Sequence, residues 1–77
     1  MPEVVEAHSA YKQADKDALL LRFRARATLG LAIDRERKRG ATWPQIGEAL
    51  GVSDEQARRY ASAYKEWLRE YPKEPLG

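Results

Sequence analysis

The chain has 77 residues, a mass of 8.8 kDa and a formal net charge of +2 at pH 7, with 43% hydrophobic residues, no Cys and one His. Twelve of the hydrophobic residues are Ala, against fourteen for Leu, Ile, Val and Phe together, so the core of one small domain is thin. The absence of Cys removes any disulfide framework or thiolate site, and His8 alone, with no second His near it, argues against zinc.

No Ser/His/Asp or Cys/His set is present, and so small a chain leaves little room for a pocket beside a catalytic constellation. No enzyme, cofactor, metal or small-molecule substrate is expected. No window approaches the ~20 apolar residues of a membrane span. Met1-Pro2-Glu3 opens with an acid in place of a basic leader, so a soluble, cytoplasmic protein without a membrane partner is expected.

Only five Val and Ile residues and two Thr occur, while Ala, Leu, Glu, Lys, Arg and Gln dominate, which predicts an all-α chain. Residues 1–14 read as a flexible N-terminal segment, loosest over 1–8. A long first helix follows, over about 15–39, with Asp15 or Asp17 at its start and Arg37-Lys38-Arg39 in its last turn, each suited to the macrodipole. Gly40 then sits where a left-handed cap belongs. Residues 22–39 hold seven arginines and lysines against two acids, a local +5 compatible with nucleic acid or with a solvated face.

The first helix carries two apolar stripes. Leu19, Leu20, Phe23, Ala27, Gly30 and Leu31 share one side, and Ala25, Leu29, Ala32 and Ile33 lie roughly opposite. Either the helix bends near Gly30 or both sides are covered. Cover could come from the two following helices through Leu29 and Ile33, and from a second copy of the chain through Leu20 and Phe23.

A second helix, 43–50, opens at Thr42-Trp43-Pro44-Gln45, where Thr42 can cap, Pro44 suits the first turn and Gln45 has capping-box spacing. Gly51 stops it. Ser53-Asp54-Glu55-Gln56 repeats the capping spacing and opens a third helix over 53–70. Two capping boxes eleven residues apart with one Gly between them predict a short turn and a steep crossing. The third helix continues with Tyr60, Tyr64, Trp67, Leu68 and Tyr71 as an aromatic stripe. That stripe either packs on the first helix or anchors a partner through Tyr64, Trp67 and Tyr71. Residues 72–77, with Pro72 and Pro75, read as a disordered tail or one merely draped on the surface.

The run from Thr42 to Tyr60 resembles the helix-turn-helix of bacterial and phage transcriptional regulators, a pattern found also in resolvase DNA-binding domains and in sigma factors. Ile46 and Leu50 face a core, Gly47 permits close approach, Gly51 turns left-handed, Val52 plugs the corner, Ser53 caps, and Ala57 and Tyr60 continue inward. The resemblance implies a three-helix, homeodomain-like domain with a long first and an extended third helix.

It also implies a nucleoid-associated homodimer on double-stranded DNA, with the third helix in the major groove. Carried onto this chain, the groove-facing residues are Ser53, Asp54, Glu55, Arg58, Arg59 and Ser62, with Arg58 or Arg59 suited to guanine and Thr42 or Gln45 to phosphates. Asp54 and Glu55 depart from the usual basic or amide residues there. They favour the helix N-terminus and form i, i+4 pairs with Arg58 and Arg59, which could occupy arginines that DNA requires. The alternatives are a protein-binding adaptor, antitoxin-like or sigma-associated, and a recombination or nucleoid accessory factor.

Overall fold

Residues 1–76 are described by a computed structural model, in which four helices form: α1 (Pro2–Gln13), α2 (Leu19–Lys38), α3 (Trp43–Leu50) and α4 (Asp54–Glu70). The architecture is all-α, with no strand among the described residues.

The first of these helices replaces the flexible segment expected over 1–14. Pro2 occupies a first-turn position where its missing N–H costs nothing, and Glu3 lies in the same turn. Val4 and His8, one turn apart, are both buried, and Met1, Ala7 and Tyr11 pack at the edge of the same cluster. A stripe built on a histidine and a tyrosine is faint as hydropathy, yet it is continuous as shape.

Between α1 and α2 the chain turns sharply. The Asp15 carboxylate accepts the Asp17 N–H at 2.9 Å, and Ala18 N–H donates to the Asp15 carbonyl at 3.1 Å. This side-chain-to-backbone bond competes with helix, so α2 begins at Leu19 rather than at Asp15 or Asp17. Its other end lies within one residue of expectation: Arg39 caps it, and Gly40 takes the left-handed conformation at φ +102°.

Helix α2 is the central element, packed by α1 and by α4. One stripe, through Leu29, Ala32 and Ile33, is therefore used within the chain, and so is the Phe23–Gly30 part of the other, whereas Leu19 and Leu20 stay exposed. Leu29, Ala32 and Ile33 join Val4, Ile46, Leu50, Ala57 and Tyr60 in one core cluster. The crossing with α4 centres on Gly30, where a Cβ would stand 2.5 Å from the Tyr60 carbonyl oxygen and 3.0 Å from Tyr64 Cβ. Only a residue without a side chain permits that approach.

The aromatic stripe of α4 completes the far end of this packing. Phe23 meets Trp67 edge-to-face at 5.4 Å between centroids, and Tyr71 lies 4.5 Å from Trp67 and 6.4 Å from Phe23. Trp67, assigned above to a dimer or partner interface, is only 3% exposed and belongs to the core of the chain, while Phe23, assigned to the same interface, is half-buried against it. Tyr64 and Tyr71 are half-buried. Leu20 alone of that set stays open to solvent. Over its described part the tail drapes against the end of α4. Glu74 N–H donates to the Tyr71 carbonyl at 3.1 Å, and the Trp67 indole N–H donates to the Glu74 carbonyl at 3.3 Å. Gly77, the end of that expected segment, lies outside the described residues.

Candidate nucleic-acid interface

The region from Thr42 to Ser62 is organised by its caps and its corner. Thr42 Oγ1 accepts the Gln45 N–H at 3.2 Å while Gln45 Oε1 accepts the Thr42 N–H at 2.9 Å, a complete capping box that starts α3. At the other end Gly51 adopts φ +70°, ψ +32°, and Val52 N–H closes onto the Gly47 carbonyl at 2.9 Å. A Cβ on Gly47 would lie 2.7 Å from the Val52 carbonyl oxygen, so the corner folds against the glycine's bare face. Ser53 then caps α4 by accepting the Gln56 N–H at 3.1 Å, without the reciprocal bond that its spacing predicts.

The side chains named from the sequence fall on one connected surface, with unequal freedom. Thr42, Gln45 and Ser53 are exposed, and capping occupies an acceptor on each. The Thr42 hydroxyl hydrogen and the Gln45 amide hydrogens remain as donors. Asp54 is half-buried at the corner, while Glu55, Arg58, Arg59 and Ser62 are exposed along α4. Glu55 holds Arg59 at 2.7 Å, as the i, i+4 spacing predicts. The Ser62 hydroxyl donates to the Arg59 carbonyl at 2.8 Å.

The expected Asp54–Arg58 pair is not formed. The Arg58 guanidinium lies instead over the Trp43 ring, 5.6 Å from its centroid, and Arg37 approaches the same ring at 4.8 Å. Sequence reasoning missed this cluster because Arg37 read as a dipole partner of α2 and Trp43 as part of a cap. Five residues lie between them, and the turn at Gly40 brings them together.

Most of the basic surplus of residues 22–39 is answered within the chain. Arg35 pairs with Glu3 at 3.0 Å, Lys38 with Asp34 at 3.0 Å and Arg39 with Glu36 at 2.8 Å. Arg22 and Arg26 lie over the rings of Tyr11 and Tyr60, at 5.4 and 5.5 Å. Exposed pairs of this kind contribute ~0–1 kcal/mol each to stability, so their consequence is which cations remain unpaired.

Behind this surface α1 braces α4. The His8 and Tyr11 rings both lean on Tyr60, at 5.7 and 5.6 Å between centroids. Burial there, followed by the charge of Lys12, lowers the His8 pKa from the ordinary 6.5. No cluster of three or more His, Cys, Asp or Glu that could hold a metal occurs among the described residues, and no helix among them is long and apolar enough to cross a membrane. No family model, curated protein or solved structure matches this chain.

Proposed function

We propose that this chain binds double-stranded DNA with sequence preference and acts as a small dimeric transcriptional regulator. In this reading α2, α3 and α4 form a homeodomain-like helix-turn-helix, α1 is an added brace, and the outer face of α4 enters the major groove. The observation that carries it is the corner between α3 and α4. Gly51 is left-handed, Gly47 has no space for a Cβ, and both helices turn Ile46, Leu50, Ala57 and Tyr60 inward while Glu55, Arg58, Arg59 and Ser62 stay outside.

A dimer is supported by the start of α2. Leu19, Leu20 and Leu21 are 76%, 54% and 63% exposed, and Leu20 and Leu21 border a cavity of 230 Å³ beside Trp67 and Tyr71. The same leucines favour the second reading, an adaptor that holds a protein partner. Selection of bound duplexes from a random library at two salt concentrations separates them. DNA reading requires an enriched motif bound at least ~10³-fold tighter than bulk duplex, with affinity that falls steeply with salt. No enrichment at either salt leaves the adaptor.

A further inference from the structure

Among the described residues, neither Arg37 nor Arg58 has a carboxylate within salt-bridge distance, whereas Arg35, Lys38, Arg39 and Arg59 each do. Both unpaired guanidinium groups converge on one aromatic ring, Trp43, one from the last turn of α2 and the other from the second turn of α4. Their carbons stand 4.8 and 5.6 Å from its centroid and hence, by the sum of those distances, no more than about 10 Å from each other. Arg37 is held a second way, its Nη1 donating to the Ala41 carbonyl at 3.0 Å. Trp43 is itself anchored at the first turn of α3 and packs against the core cluster.

We propose that Arg37, Trp43 and Arg58 form a phosphodiester clamp that grips the DNA backbone beside the groove read by α4. The inference rests on the duplex-binding reading above and assigns this site its ligand. A guanidinium is a planar fork matched to phosphate oxygens, and one stacked on an aromatic face keeps its outward N–H donors while losing less rotamer freedom on binding. Trp43 is the positioning residue; Arg37 and Arg58 touch the phosphate. The Thr42 hydroxyl and Gln45 amide, at the same helix start, add neutral donors. The clamp also divides the work of the two neighbouring arginines of α4. Arg59, paired with Glu55, is held for a base edge or for no contact until Glu55 releases it, and Arg58 serves the backbone.

The test uses the full chain and a fluorescein-labelled duplex of mixed sequence, about 20 base pairs long, titrated by anisotropy at about 50 and 200 mM salt. Arg37→Ala and Arg58→Ala are each expected to lower the slope of log affinity against log salt by about 0.9, so the affinity ratio between the two salts shrinks about 3.5-fold. Arg39→Ala removes the same charge from a paired arginine and is expected to leave the slope unchanged. Arg58→Lys retains the charge but weakens the stacking and is expected to cost about two- to five-fold in affinity. Trp43→Leu is expected to bind more weakly than wild type, with Trp43→Phe recovering most of the loss; if the Leu variant fails to fold, the Arg58→Lys comparison stands alone. Wild-type binding with unchanged slopes in both Arg37→Ala and Arg58→Ala overturns the clamp and leaves duplex binding intact. An equal loss of slope in Arg39→Ala overturns it too, since attraction is then general. A wild-type chain that binds no duplex at either salt overturns both readings.

Discussion

Replacing Gly30 with Ala sets two effects of known sign against each other. In the middle of a helix, alanine is favoured over glycine by about 1 kcal/mol, so an uncrowded Gly30 would make the substitution stabilising. The crossing opposes this. The new Cβ would stand 2.5 Å from the Tyr60 carbonyl oxygen and 3.0 Å from Tyr64 N and Cβ. These are backbone and near-backbone atoms of α4, not the flexible end of a side chain. Reaching ordinary contact at 3.4 Å requires α2 and α4 to part by roughly 0.9 Å. That shift is transmitted to Phe23–Trp67 at one end of the crossing and to Ile33 at the other. Overpacking of this type costs about 1–3 kcal/mol, occasionally more. Taking the upper half of that range because the obstacle is backbone, the net loss is about 1–2 kcal/mol, or about 4–16 °C in Tm for a domain of this length. Thermal unfolding followed by circular dichroism at 222 nm, together with denaturant titration, measures it. A Tm equal to or above wild type would mean that helix propensity wins and that the two helices do not depend on this approach.

Gly51→Val puts a β-branched residue at φ +70° with no steric obstacle nearby, so its expected cost of about 1–3 kcal/mol is purely conformational, read as a lower denaturation midpoint. His8 is favoured neutral in the folded chain, because its pKa is lowered by burial and then by Lys12. Its contribution to stability is therefore full above the unfolded value of 6.5 and is lost as pH falls through the lowered folded value, a dependence that unfolding at several pH values should show and that His8→Phe should remove. Glu55→Gln releases Arg59 from its 2.7 Å partner and is expected to raise affinity for mixed-sequence duplex more than for a selected one; an unchanged ratio would mean that Glu55 serves only as a helix-end acid.

Helices α3 and α4 were readable from local chemistry because each boundary is written in adjacent residues. A Thr-x-x-Gln box, a glycine that must turn left-handed and a Ser cap act over three or four positions, and their geometry follows from backbone hydrogen-bonding needs alone. The Glu55–Arg59 pair is legible for the same reason, being one helical turn long. Helix α1 was not legible as a helix, since its buried face runs through His8 and Tyr11 and acquires meaning only when α2 and Tyr60 of α4 are set against it.

What the sequence by itself determined is thus the all-α character, the α3–α4 corner and the caps that bound it. Tertiary structure decided which faces are used. The aromatic stripe of α4 could serve a partner or the monomer, and the crossing at Gly30 committed Trp67 to Phe23. The arginines and the lysine of residues 22–39 formed a basic run on paper, and folding paired some with Glu3, Asp34 and Glu36 while leaving Arg37 beside Trp43. The physical reason is range. Capping and turn preferences act between neighbours in the chain, whereas stacking, ion pairing and burial depend on distances that a string of residues does not contain until the helices cross.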